Sequence, residues 1–282
     1  MLNAFVERHS ARFDPRGAFL AVGRSLLGLA LLVVVAVNPD DVLFPGGPRC
    51  DGIRALGLWC VLGPSWPARV VAVVVATLVT AGFAPRWTCV PHWYVAFGFA
   101  ACSSTANGGD RIAQITALLV VPLCLGDRRW WQWAPLGTPL APAWRGSALA
   151  ALLVLRVQTT VVYLDAAVSK LRDPAWRAGT ALRVVFHDPE FGLPRVLLDP
   201  VAAVAVGWAL PVLTWSVIAV QLVLAVAVPA GRRRVVLVLG LGLHAAIALL
   251  LGLPVFGLVM AGLLVCGCVR VGRPGSRRGA HG

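Results

Sequence analysis

The sequence is dominated by apolar segments that are too long for the core of a water-soluble domain. Examples are LLGLALLVVVAV within the first forty residues and VVLVLGLGLHAAIALLLGL near the C-terminal end. The composition agrees, since 59% of the 282 residues are hydrophobic and only 13% are charged. A bilayer core about 30 Å thick needs roughly 20 apolar residues per helix, so these segments predict membrane-spanning helices.

We predict an all-α, polytopic helical membrane protein with about eight transmembrane helices. Its domains are a cytoplasmic N-terminal segment (1–17), one transmembrane domain (18–270) and a basic cytoplasmic tail (271–282). No internal repeat or low-complexity tract interrupts the chain. The predicted spans are residues 18–37, 68–84, 90–106, 111–126, 145–168, 210–228, 234–252 and 254–270.

The basic residues predict the orientation of these spans. The formal net charge is +13, which in a soluble domain would favour binding to nucleic acid. In a membrane protein the positive-inside rule explains the same excess, so we expect the lipid bilayer and no nucleic acid as a partner. Cytoplasmic N- and C-termini place the clusters GRRRV and DRRWW in cytoplasmic loops. This is the orientation that we predict.

The cysteines fit that orientation. Cys50 and Cys60 flank DGIRALGLW in the first predicted outside loop, where a disulfide can form and persist. Two free loop thiols are the alternative. The other five cysteines lie in or beside spans and are interpreted as apolar filler. No metal site is predicted, because the CGC sequence near the C-terminus is too short to supply one and no zinc-protease or CxxC spacing occurs.

The fifth predicted span carries polar residues on one helix face. Arg156, Tyr163 and Lys170 are spaced by seven, a spacing that drifts only about 20° per step around a helix. Ionisable groups within a bilayer cost at least ~2.5–3.5 kcal/mol each, so this face should point to protein or a water-filled cavity. Alternatively, Arg156 pairs with Asp165 or a neighbour, and Lys170 extends to the outer interface.

Two of the polar residues are candidates for proton chemistry. Lys170 is the only lysine among 25 basic residues. A desolvated ammonium can lose its proton near neutral pH and a guanidinium effectively cannot, so Lys170 is a candidate base. His244 lies in the middle of a span, in GLGLHAAIALL. A hydrogen bond to a neighbouring helix and a role in carrying protons both remain open for it.

The segment around Lys170 resembles a known family. YLDAAVSKLRDPAWRAG is similar to the segment around the catalytic lysine of vitamin K-dependent γ-glutamyl carboxylase, whose pattern is Y-x-x-A-G-x-K-K-L-x-x-x-W-x-x-G. Over residues 14–265 the chain resembles the horizontally transferred transmembrane (HTTM) superfamily, and most of all its sporulation-delaying protein B (SdpB) branch. That branch is associated with maturation of a secreted bacterial peptide toxin. The positions that fit the carboxylase pattern are Tyr163, Ala166, Lys170 and Leu171, and, after one additional residue in this chain, Trp176 and Gly179.

The resemblance implies roles for the polar residues. Lys170 would be the base that deprotonates a quinol, of the menaquinone type in a bacterium, and Tyr163 and Arg156 would line the same cavity. His244 matches a histidine in a late helix of the superfamily. The chain has NGGDRI where the carboxylase has a histidine-bearing segment, and it lacks the carboxylase's large lumenal domain. We therefore expect another quinone- or lipid-facing reaction on a peptide rather than glutamate carboxylation.

Two functional hypotheses follow. In the first, the chain is a multi-pass enzyme, or an enzyme subunit, of a bacterial plasma membrane that matures or modifies a secreted, toxin-like peptide. In the second, it is a non-catalytic scaffold, export factor or immunity factor that binds the peptide. Companion maturation proteins are expected partners in either case. Replacement of Lys170 by arginine separates the two hypotheses, because arginine keeps the charge and removes the basicity.

Overall fold

The computed structural model describes residues 13–63, 65–104, 108–189, 192–193 and 207–271. In this part of the chain the regular secondary structure is helical, apart from one isolated antiparallel bridge between Phe83 and Trp131. Eight long helices follow one another among the described residues. They are α1 (Ala18–Val37), α2 (Trp66–Ala81), α3 (Pro85–Cys102), α4 (Gly108–Cys124), α5 (Pro142–Arg172), α6 (Ala209–Ala227), α7 (Arg233–Leu250) and α8 (Pro254–Gly267).

Each long helix overlaps one predicted span, so the all-helical class is confirmed. The number of membrane crossings is a separate matter. Only α1, α5, α6 and α7 are long and apolar enough by themselves to cross a membrane, and α2 and α8 are shorter apolar helices. The chain therefore fits a membrane protein, and eight crossings remain a prediction. Residues 1–12 of the predicted N-terminal segment and 272–282 of the predicted tail lie outside the described residues.

Helix ends differ from the predicted ones for local reasons. The predicted second span runs to residue 84, but α2 ends at Ala81 because Gly82 adopts the left-handed conformation (φ 82°) that closes many helices. The fifth helix is longer than predicted. It begins at Pro142, since proline is favoured in the first helical turn, and it ends before Asp173 and Pro174.

Small residues allow the helices to approach closely. Gly28 of α1 faces α2, where an added Cβ would lie 2.9 Å from the backbone nitrogen of Thr80. Gly262 of α8 faces α1, where an added Cβ would lie 2.8 Å from Leu27 Cγ. Between apolar helices in lipid, such close packing is a main source of association. It places α1 between α2 and α8.

A buried arginine ties α1 to a neighbouring loop. The Arg24 side chain is 1% exposed and donates to Gln132 Oε1 at 2.9 Å and to the hydroxyl of Thr88 on α3. Gln132 in turn donates to Ala21 O at 3.1 Å and to Ser25 Oγ at 2.9 Å. No carboxylate among the described residues forms an ion pair with Arg24. Its charge is therefore held by neutral oxygen atoms.

This arrangement predicts that Gln132→Leu destabilises the protein. The substitution leaves Nη1 of a buried guanidinium without an acceptor, which costs about 2 kcal/mol. Gln158→Leu on α5 is the matched control, because neither amide atom of Gln158 has a hydrogen-bond partner among the described residues. Thermal unfolding in detergent micelles should show a lower Tm for Gln132→Leu and an unchanged or higher Tm for Gln158→Leu. Equal Tm values would contradict the assignment.

Candidate functional site

The polar face predicted for α5 is the face that packs on the protein. Tyr163 is buried, as are Thr159 and Ala167 beside it, whereas Arg156 and Lys170 are half-buried. Arg156, Tyr163 and Lys170 therefore lie on the face of α5 that packs on the protein, and their roles at a site stay predictions. With a rise of 1.5 Å per residue, Arg156 and Lys170 are about 21 Å apart along the axis. The stripe thus carries three separate contacts.

Arg156 binds the end of another helix. Its Nε donates to Gly267 O at 3.0 Å and its Nη2 donates to Val269 O at 2.9 Å. The carbonyl groups at a helix C-terminus lack partners within the helix and carry partial negative charge, so a guanidinium stabilises them. Arg156 does not pair with Asp165, and its contacts are those of a cap on α8. Its role in a cavity remains a prediction.

Tyr163 and His244 meet in the interior of the bundle. The Tyr163 hydroxyl and His244 Nε2 are 2.7 Å apart, and the side chains are 1% and 4% exposed. The Phe256 ring of α8 packs edge-on against the imidazole, with centroids 5.6 Å apart. His244 Nδ1 has no hydrogen-bond partner among the described residues. The pair joins α5 to α7 and leaves one polar ring atom free for a further contact.

Lys170 lies at the C-terminal end of α5. Its Nζ is 3.3 Å from Ala166 O and 5.1 Å from the ring centroid of Trp176. No carboxylate among the described residues is in an ion pair with it. The ammonium is thus held by one long hydrogen bond and one aromatic face, both of which a ligand can displace.

The local sequence explains why Trp176 faces Lys170. Pro174 stops α5, and the Asp173 side chain accepts hydrogen bonds from the backbone nitrogens of Ala175 and Trp176 at 2.7 and 3.3 Å. This cap starts the short helix Pro174–Arg177, which brings the indole back towards the end of α5.

Gly179 completes the turn that follows. Its φ of +73° suits glycine, and an added Cβ would lie 2.7 Å from Pro211 Cβ on α6. Its carbonyl oxygen accepts from Thr214 Oγ1 at 3.1 Å. Residues 170–179, called here the turn around Lys170, therefore place the lysine at the end of α5, beside the segment that packs on α6 through Gly179.

Sequence reasoning missed an apolar cavity that contains a buried histidine. The cavity has a volume of about 20 Å³, and His92 of α3 is 3% exposed in its wall. Asp110 of α4 also lines it, and no residue of α5 does. The signal in the sequence that could have indicated this cavity was His92, a histidine within the third predicted span. The other lining residues are Leu27, Ala30, Leu31, Val34, Ala96, Phe99, Ala113, Val255 and Val259.

The predicted bridge between Cys50 and Cys60 is present. Their sulfur atoms are bonded at 2.08 Å and their Cα atoms are 5.6 Å apart. The bridge lies in the segment between α1 and α2. A third cysteine, Cys102 at the end of α3, lies beside it, with its Sγ 3.5 Å from Cys60 Sγ. Its spacing in the sequence gave no sign of this contact.

Similarity to two curated proteins extends over almost the whole chain. The chain is 29% identical to the sporulation-delaying protein SdpB of Bacillus subtilis (strain 168) over 271 residues, which cover 92% of this chain and 84% of SdpB. It is 26% identical to the uncharacterized protein YitO of the same strain over 277 residues, which cover 92% of this chain and 89% of YitO. The chain is an SdpB-like relative of these proteins.

The other comparisons add no further relationship. No family profile matches the chain, and no solved structure matches it. The SdpB-like relationship therefore rests on full-length sequence similarity. The resemblance to vitamin K-dependent carboxylase rests on the six matched positions around Lys170 and remains a hypothesis.

The contact between Tyr163 and His244 yields a direct prediction. Tyr163→Phe removes the hydroxyl that bonds His244 Nε2, so that neither imidazole nitrogen atom has a partner among the described residues, which costs about 1 kcal/mol within a membrane. Tyr94→Phe is the matched control, because the Tyr94 hydroxyl makes an exposed bond to Leu56 O at 2.8 Å. The Tm in micelles should fall for Tyr163→Phe and stay constant for Tyr94→Phe. A loss confined to Tyr94→Phe would contradict the role of the buried pair.

Proposed function

We propose that this chain is a multi-pass protein of the bacterial plasma membrane that acts in the maturation of a secreted, toxin-like peptide. The full-length similarity to SdpB carries this proposal. The four long apolar helices support the membrane location, and the HTTM resemblance supports a single membrane domain that spans the bilayer eight times. Companion maturation proteins at the same membrane are part of the proposal.

The turn around Lys170 is the proposed site of chemistry. It presents a single amine where α5, α6 and the Trp176 segment meet, without a carboxylate ion pair among the described residues. The indole face stabilises the ammonium, so a substrate that displaces Trp176 would favour release of the ammonium proton to water. The neutral amine could then accept a proton from the substrate. In the predicted orientation this end of α5 is at the outer surface, where a secreted peptide arrives.

Tyr163 lies on the same face of α5 as Lys170 but deeper in the membrane, and it would act together with His244 of α7. Their bond fixes one nitrogen of the imidazole and leaves Nδ1 available to hold a proton or a polar ligand group. We infer that they position the neighbouring side chains and any ligand that enters between α5 and α7. Arg156 contributes as the cap that holds α8 against α5.

The menaquinone-type quinol that the resemblance implies does not fit the cavity beside His92. That cavity has a volume of about 20 Å³, roughly the space of one water molecule, whereas sites for ligands of this size have roughly 300 Å³ or more. When bound, such a quinol would supply reducing equivalents. Since no residue of α5 lines this cavity, Lys170 as the base of a quinol remains a prediction that requires a place for the ring near the end of α5.

The scaffold hypothesis has its own support. Arg156 caps a helix and Lys170 rests on an aromatic ring, and both contacts are common in purely structural settings. In this alternative the same junction of α5 and α6 binds the peptide and performs no chemistry on it.

One pair of variants distinguishes the two functions. In host cells that lack the chromosomal copy, Lys170→Arg should abolish the mature peptide, because a guanidinium retains the charge but cannot act as a base near neutral pH. Arg172→Lys, two residues along the same helix, is the matched control and should retain maturation. Mass spectrometry of secreted peptides is the measurement, with membrane levels of each variant checked by immunoblot.

The outcomes separate the hypotheses. Normal maturation with Lys170→Arg, at wild-type membrane levels, would refute base catalysis and leave the scaffold. If removal of the wild-type chain changes no secreted peptide at all, the role in peptide maturation fails as well.

A further inference from the structure

Three cysteine sulfur atoms form a cluster at one end of the bundle. Cys60 Sγ is bonded to Cys50 Sγ and lies 3.5 Å from the Sγ of Cys102. Cys102 is the last residue of α3 and its side chain is fully buried, whereas Cys50 is exposed. Cys60 is thus the central sulfur atom, with one bonded neighbour near solvent and one free thiol in the interior.

The fold holds this cluster firmly. Arg49 N donates to Cys102 O at 2.8 Å, so the residue before Cys50 is fixed to the end of α3. Gly98 of α3 admits the segment that carries Cys60, since an added Cβ would lie 2.8 Å from Leu58 N. The Arg49 bond and the close packing at Gly98 therefore hold the loop between α1 and α2 on the end of α3, with the sulfur atoms of Cys60 and Cys102 in contact.

We propose that Cys50, Cys60 and Cys102 form a thiol–disulfide exchange site. The Cys102 thiolate attacks Cys60 Sγ, the Cys60–Cys102 bond forms, and the Cys50–Cys60 bond breaks with Cys50 leaving as a thiolate. The proton lost by Cys102 ends on Cys50. No electrons enter or leave, so the step needs no oxidant or reductant.

As a consequence of the exchange, the free thiol is no longer in the interior but at the surface. Before exchange the free thiol is buried Cys102, and after exchange it is Cys50 in an exposed segment. In its thiolate form, Cys50 can attack one sulfur atom of a disulfide in another polypeptide on the same side of the membrane. A mixed disulfide with Cys50 forms, the disulfide of that polypeptide breaks, and its other sulfur atom leaves as a thiolate. The substrate class is therefore a cysteine-containing exported chain. This activity depends on the geometry of the sulfur atoms and is independent of the proposed role of Lys170.

Trapping of Cys50 tests the proposal. Membranes prepared without reductant are incubated with N-ethylmaleimide, denatured and digested with trypsin, which places Cys50, Cys60 and Cys102 in the separate peptides 50–54, 55–69 and 87–111. In the wild type, Cys50 should be alkylated with time while peptide 55–69 becomes linked to 87–111. Alkylation of Cys50 should be at least about tenfold faster in the wild type than in Cys102→Ser, where no thiol is present to displace Cys50 from Cys60.

Two further variants complete the test. Cys89 lies in the same tryptic peptide and the same helix as Cys102. Cys89→Ser is therefore the matched control and should behave as the wild type. Cys50→Ser should contain the Cys60–Cys102 bridge without any treatment, which checks the geometry even if Cys102→Ser does not fold. Equal alkylation of Cys50 in the wild type and Cys102→Ser, or free Cys60 and Cys102 thiols in Cys50→Ser, would overturn the proposal.

Discussion

The fold depends on the need of each polar group inside a bilayer for a partner within the protein. Arg24 binds Gln132 and Thr88, and the Tyr163 hydroxyl binds His244. Arg156 binds the carbonyl groups at the end of α8. Apolar surfaces alone would let helices slide and rotate in lipid, because lipid tails are as apolar as leucine. These few bonds, together with the glycines of α1 and α8, select one arrangement of the helices.

The same constraint explains why the proposed sites lie at helix ends. Lys170 is placed where α5 stops, and the three cysteines are placed where α3 meets the preceding loop. Polar chemistry is less costly at such ends than at the centre of a span. In the predicted orientation, both proposed sites would face the outer side of the membrane.

Sequence reasoning reached the features that depend on local pattern. The eight helices follow from apolar segments, the buried stripe of α5 from a spacing of seven, and the disulfide from two cysteines in one predicted outside loop. Contacts between segments far apart in the sequence were not predicted. Arg156 reaches carbonyls more than 110 residues away, and Cys102 meets Cys60 across 42 residues. Which residue faces which across a bundle depends on helix rotation, and a single sequence does not encode it in any readable spacing.

Both proposals depend on one orientation, in which the cysteine loop and the end of α5 face outwards. The most direct measurement uses a reporter that is active only outside the cytoplasm, inserted after Gly47 or after Gly137, two glycines with open space around them. The account predicts activity after Gly47 and none after Gly137 or at the C-terminus after Gly282. Activity after Gly137, with none after Gly47, would contradict it.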